Sequence, residues 1–183
     1  MWENGGCLTF KSFGFMADTV KIYTKAGDDG KTRTINRKVC RKNSPLICVL
    51  GELDELNSFI GMAKSSCDGS IGRDAEFLVI LDRIQDDVYK IGAELAGADF
   101  GKIGNGDVAW VEEMIDAFIA EKKSVRFVKP GGRGELSARL HVCRSVSRRV
   151  ERSAYDLRSL KKMKYIRQYL NRLSDLFFTM GEC

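Results

Sequence analysis

The sequence predicts an all-α protein folded as a five-helix bundle. Apolar residues recur at steps of three and four in five separate segments, the period that gathers them on one face of a helix. Only two prolines occur in 183 residues, and 44% of the chain is hydrophobic against 30% charged. That balance suits one sizeable core without disulfides or a structural metal, so a single domain is expected over residues 20–183. Residues 1–19 mix glycine, aromatic and polar groups with no basic region leading into an apolar one. They read as an N-terminal extension, disordered by default and unlike a secretory signal, with Met16 an alternative start.

A short strand-like start at Lys21 runs into a loop punctuated by Gly27 and Gly30. Glycines let backbone amides converge on an oxygen-rich ligand, and Thr24, Lys25, Thr32 and Arg33 add hydroxyl and cationic donors, the ingredients of a phosphate cradle. Taken alone, the stretch reads better as an ordinary Asp-Asp-Gly turn, and Walker-loop spacing is absent. Residues 36–43 form a basic connector with Arg37, Lys38, Arg41 and Lys42, ending at Ser44-Pro45, a cap followed by a first-turn proline.

The first helix runs from there to about Ser66, with Leu46, Leu50, Leu53, Leu56, Ile60 and Ala63 inward and Asp54 and Asn57 on another face. The second, Asp74 to Ala96, buries Phe77, Leu81, Ile84, Val88, Ile91 and Leu95 in a bundle-type seam. After the glycine-rich loop 97–106, Asp107 caps a third helix whose Val108, Val111, Met114, Ile115, Phe118 and Ile119 face inward. Residues 124–134 are extended and close in a Pro-Gly-Gly turn; Phe127 and Val128 there either plug the bundle end, the better reading from pattern alone, or line a ligand pocket. The fourth helix spans 136–155 with the stripe Leu136, Leu140, Cys143, Val146, Val150, Ala154 and Leu157, and the fifth, about Lys162 to Met180, buries Ile166, Tyr169, Leu170, Leu173, Phe177 and Met180.

The fourth helix also carries the densest positive charge. Arg144, Arg148 and Arg152 lie four apart in one row, with Glu151 and His141 in the same sector and Arg149 further round. Like charges at this spacing repel, so anions or carboxylates must answer the row. From the helix alone, an anion site and a structural set of ion pairs are equal readings. The carboxylate Asp54 is a candidate partner for an arginine on another helix or subunit.

Catalytic groups of the protein's own are scarce. There is one histidine and no serine elbow, triad or zinc spacing, and the ferritin-like outline lacks di-iron ligands because Ala138 stands where a Glu-x-x-His pair needs glutamate. What remains is cationic, and cations can hold and stabilise a polyphosphate without any protein nucleophile. A formal charge of +5 without aromatics interleaved on the arginine face argues against nucleic acid. No apolar run is long enough to span a bilayer, so no membrane partner is expected. The six cysteines show no pairing pattern, which suggests reduced thiols and a cytoplasmic setting, with Cys143 acting as a small hydrophobe.

Five motifs in order cover almost the whole chain from residue 20: Lys21-Ile-Tyr-Thr-Lys-Ala-Gly-Asp-Asp-Gly30, Gly51-Glu-Leu-Asp-Glu-Leu-Asn-Ser58, Phe127-Val-Lys-Pro-Gly-Gly132, Leu140-His-Val-Cys-Arg-Ser-Val-Ser-Arg-Arg-Val-Glu-Arg152 and Tyr169-Leu-Asn-Arg-Leu-Ser-Asp175. Together they resemble the ATP:cob(I)alamin adenosyltransferases of the type active in propanediol utilisation and human methylmalonic aciduria. The resemblance implies a trimer of five-helix bundles with ATP and Mg²⁺ between subunits and the corrinoid above. It implies adenosyl transfer from ATP to cob(I)alamin, giving adenosylcobalamin and triphosphate, with a cobalamin-dependent mutase as a possible recipient. A non-catalytic ATP- or cobalamin-carrying bundle is the alternative.

By the same resemblance, Thr24, Lys25, Ala26, Gly27, Thr32, Arg33 and Lys42 form the N-terminal ATP clamp. Arg148, Arg149, Glu151, Arg152 and Asn171 complete the nucleotide site, Asp54 pairs with Arg144 across the interface, and Phe127 presses on the corrinoid and keeps its lower ligand off cobalt. His141 is implied to be a positioned neighbour of this row and not an acid or base.

Overall fold

The computed structural model of the chain describes residues 23, 25–67, 72–121 and 129–183. The N-terminal extension, the strand-like start at Lys21, Thr24, and the extended stretch through Phe127 and Val128 lie outside the described residues.

Five helices form as expected: α1 (Pro45–Lys64), α2 (Arg73–Leu95), α3 (Asn105–Ala120), α4 (Glu135–Ala154) and α5 (Lys164–Gly181). Each begins and ends within about two residues of its sequence-derived bounds, the ordinary fraying margin. Extended Ser44 followed by Pro45 opens α1, since proline's fixed φ suits a first turn whose amides have no helical partner. Asp107 differs from expectation: it sits at the third position of α3, where its Oδ2 accepts from the Gly104 amide at 2.9 Å, and Gly104 is the capping position. Ile119, expected inward, is 44% exposed, because the buried stripe of α3 runs through Val108, Val111 and Phe118. The turn before α5 is a short 3-10 helix, Arg158–Lys162, that tucks Leu160 into the core, so α5 starts two residues later than the pattern implied.

The larger difference lies at the start of the described chain. Residues read as a loop and a basic connector pair as an antiparallel hairpin, β1 (Lys31–Arg33) with β2 (Val39–Arg41), in the register Thr32 opposite Cys40. Arg37 adopts φ 63° in its turn, a conformation uncommon without glycine, and Thr34 donates from its hydroxyl to the Lys38 carbonyl at 3.2 Å. Strands of three residues carry too little periodicity to announce themselves.

Successive helices run in alternating directions. The last turn of α1 meets α2 where Lys64 Nζ donates to Gln85 Oε1 at 2.9 Å, and meets the start of α4 where Arg139 donates to the Met62 carbonyl and, at 3.0 Å, to Ser65 Oγ. α4 packs against both α1 and α5, and α5 also packs against α3. The seams match the sequence reading, with Leu53, Leu56, Ile60, Leu81, Ile84, Ile91, Leu140, Val150, Leu173 and Phe177 at most 3% exposed. Cys143 is fully buried, and loss of solvation pushes its thiol up to about 12, so it stays neutral and packs as a hydrophobe.

One polar knot crosses this core. The fully buried Asp87 of α2 accepts from Tyr169 Oη at 3.1 Å and from Lys90 Nζ at 2.7 Å, with Arg83 Nε at 3.8 Å. Arg83 in turn stacks 3.9 Å from the centre of the Trp110 ring, tying α2 to α3. Burial, and then the Asp87 charge, hold the Tyr169 phenol well above its usual range, so it remains a neutral donor. Tyr169→Phe should therefore destabilise the protein by about 1–3 kcal/mol, because it leaves a buried carboxylate oxygen short of a donor. Urea denaturation with an unchanged slope is the measurement, and an unchanged midpoint would contradict it.

Candidate functional site

Burial of the α4 seam determines which way every other α4 residue faces. With Leu140, Cys143, Val146, Val150 and Ala154 at most 5% exposed, Arg144, Arg148 and Arg152 form the predicted row on a separate face. Arg148 and Arg152 are exposed and Arg144 is half-buried. None of the three has a side-chain hydrogen bond or ion pair among the described residues, and Arg144 Nε is buried without a partner. A buried guanidinium nitrogen with no acceptor is costly in isolation, so the described residues leave one donor of the row unsatisfied.

The remaining polar residues of α4 separate from the row. Arg149 turns to α1, donating to Glu55 Oε2 and lying 4.0 Å from Glu52 Oε1. Glu151 turns to α5, where its Oε1 accepts from Asn171 Nδ2 at 2.9 Å, and Arg172 donates both to Asn171 Oδ1 and, at 3.1 Å, to Glu112 on α3. His141 does not join the arginine sector. It is 3% exposed against the end of α5, with Nε2 3.4 Å from Glu182 Oε1 and Nδ1 lacking a partner. A Cβ on Gly181 would meet the imidazole at 3.4 Å, and Arg133 donates to the same buried glutamate at 3.2 Å. This burial suits a packed, oriented side chain better than a general acid or base.

The hairpin gathers the N-terminal candidates. Ala26, Gly27, Lys31, Thr32, Arg33 and Val39 are among the residues around a hollow of about 420 Å³. Lys42 is drawn in from the far side of β2, its amide donating to the Gly30 carbonyl at 2.9 Å. Its ammonium lies 3.2 Å from where a Cβ on Gly27 would stand, so the glycine permits that approach. Lys25 at φ 58° and Gly30 at φ 80° turn the chain sharply on either side. A tight loop with Lys25, Lys31, Arg33 and Lys42 around it, of which Lys31 lies 3.8 Å from Asp29, is a place where an anion gains charge and amide contacts together.

Asp54 is exposed on α1 and borders an apolar cavity of about 230 Å³ between α1, α2 and the hairpin turn, with Leu50, Leu53, Asn57, Tyr89 and Ile35 also in its wall. Asn57 Oδ1 is buried without a hydrogen-bond partner. Within one chain Asp54 and Arg144 are not paired. Sequence reasoning took only Asp54 from the Gly51–Ser58 motif and missed Glu52 and Glu55. Their spacing of three, one face apart from Asp54 and Asn57, was the available signal.

The family model described as Cobalamin adenosyltransferase matches residues 22–183 of this chain. The corrinoid adenosyltransferase of Bacillus subtilis is 35% identical over 165 residues, covering 87% of this chain and 83% of its own. The cobalamin adenosyltransferase of Cupriavidus metallidurans is 34% identical, covering 88% and 86%. Among solved structures, a variant PduO-type ATP:corrinoid adenosyltransferase from Lactobacillus reuteri complexed with cobalamin and ATP superposes with a TM-score of 0.77 at 32% identity, covering 88% of this chain and 89% of that one. The match runs through the hairpin, the split α1 motif and the arginine row alike, and on that extent the chain belongs to the cobalamin adenosyltransferase family.

Proposed function

We propose that this protein transfers the 5′-deoxyadenosyl group of ATP to cob(I)alamin, forming adenosylcobalamin and releasing triphosphate. The observation that carries the reading is the α4 row: three arginines without a carboxylate partner among the described residues, one with a buried, unpartnered Nε. Cobalt(I) is itself the nucleophile. Its electron pair forms the bond to the 5′ carbon as the carbon–oxygen bond breaks, and that bond's pair leaves on triphosphate. The protein therefore needs to position two substrates and stabilise the departing charge, which matches a site rich in cations and poor in acids and bases.

In this reading the hairpin loop, with Lys25, Ala26, Gly27, Thr32, Arg33 and Lys42, and Thr24 just before it, holds the polyphosphate and its Mg²⁺. Arg148 and Arg152 approach the same phosphates from α4. Glu151 and Asn171, bonded to one another, flank the nucleotide. Arg144 meets Asp54 of a neighbouring copy, which makes the site complete only in a homotrimer, and Phe127 presses on the corrinoid face to keep the lower ligand off cobalt. Cytoplasmic location fits the unpaired cysteines Cys40, Cys48, Cys143 and Cys183, and no described helix is long and apolar enough to cross a membrane. A cobalamin-dependent mutase is the class of enzyme that would consume the product.

The direct assay mixes protein, ATP, Mg²⁺ and chemically reduced cobalamin and follows the spectral change to adenosylcobalamin. ATP-dependent thermal stabilisation without triphosphate release would instead indicate a carrier. Arg144→Ala and Asp54→Ala should each lower kcat/KM about 100-fold, the scale of truncating one member of a desolvated charge pair, and the charge-swapped double variant should recover part of it. Independent, additive losses would refute the pair. Gly27→Ala, by pushing Lys42 aside, should raise the KM for ATP about tenfold while the KM for cobalamin holds, because a tight backbone approach is what glycine permits there.

A further inference from the structure

α1 presents its acidic motif on two faces. Asp54 and Asn57 border the cavity toward α2, whereas Glu52 and Glu55, three residues apart, face α4. Opposite them stand Arg149 and Ser153, four apart. Arg149 Nη2 donates to Glu55 Oε2, and Ser153 Oγ donates at 3.0 Å to the Glu52 Oε1 that also lies 4.0 Å from Arg149 Nε. Glu52 is only 22% exposed at its side chain, and its second oxygen is buried without a hydrogen-bond partner. Arg149 is hydrogen-bonded to the partly exposed Glu55, and the less exposed Glu52, whose Oε1 is oriented by Ser153, adds a second negative charge 4.0 Å away. Two carboxylates around one arginine also leave a net negative charge there, which repels a phosphate chain.

We infer that Glu52, Glu55 and Ser153 are positioning residues that take Arg149 out of the phosphate-facing set and fix the rotation of α4, leaving Arg148 and Arg152 to meet the polyphosphate. This corrects the role that the family resemblance assigns to Arg149, and it rests on the nucleotide reading above. One residue step turns a helix by about 100°, so Arg149 already points away from the row of Arg144, Arg148 and Arg152. The carboxylates of α1 hold that direction. A rotational slip of α4 would bring Arg149 round and carry Arg148 away.

ATP binding measured by calorimetry over a series of salt concentrations separates a phosphate ligand from a positioning group. Arg148→Ala should flatten the salt dependence, since one charge–charge contact with the ligand is lost. Arg149→Ala should keep the wild-type salt dependence and weaken binding uniformly by about three- to tenfold, the size expected for loosened alignment of remaining contacts. The Glu52→Gln, Glu55→Gln double variant should match it, and the triple variant should be no worse than Arg149→Ala alone, because the groups act as one unit. Arg149→Lys, which keeps a charge but not the fork, should fall between, and thermal melting checks that each variant is folded. A flattened salt dependence for Arg149→Ala would overturn the assignment, as would additive losses or tighter binding in the double carboxamide variant. A wild-type protein that binds no ATP would overturn the nucleotide reading itself, a result visible before any substitution is made.

Discussion

The burial of the α4 seam is the constraint on which the rest of the molecule depends. Five apolar side chains of that helix are removed almost entirely from water between α1 and α5. At about 1.5–3 kcal/mol for a large apolar side chain, this burial far exceeds the few tenths of a kcal/mol that each like-charged pair four residues apart costs. The helix can therefore display an arginine row that would weaken it in isolation. The seam sets the direction of each remaining residue, and the polar contacts with α1 and α5 hold it: Arg144, Arg148 and Arg152 to one side, Arg149 and Ser153 to α1, Glu151 to α5, and His141 inward to the end of α5.

The polar contacts around the seam convert packing into alignment. Arg139 ties the start of α4 to the last turn of α1, and the Glu52, Glu55, Arg149 and Ser153 group ties their opposite halves together. Two attachments more than two helical turns apart resist both tilt and rotation better than one. On the far side, Asp87 links α2 to α5 through Tyr169, and Arg83 links α2 to α3 through Trp110. Among the described residues these groups leave the row of three arginines without side-chain partners, which keeps it available to an anionic group.

Much of the fold was legible because an amphipathic helix writes its period into the chain. The seams of α2, α4 and α5 were readable residue by residue, and the ends of α1 were marked by Ser44-Pro45 and by the end of its apolar stripe. The hairpin was not legible, since strands of three residues offer a single alternation, and their basic side chains read equally as a connector. Asp107 was misplaced by three positions because an acidic residue near a helix start serves the first turn as well as the cap. Ile119 was misread because a stripe that wide on α3 exceeded the face its neighbours cover.

For the site, sequence alone determined which chemistry is available: a row of arginines, a glycine-punctuated loop with hydroxyls and cations, the carboxylate Asp54, and no nucleophile. These depend on residue type and spacing, which the chain carries locally. Tertiary structure decided how those charges are allotted. That Arg149 faces two glutamates while Arg148 faces none among the described residues, that Lys42 approaches Gly27 across a hairpin, and that His141 is buried on Gly181 all follow from contacts between residues 15 to about 100 positions apart. Such contacts are set by how helices pack on one another, and a helical period read along one segment contains no information about which neighbour will stand opposite.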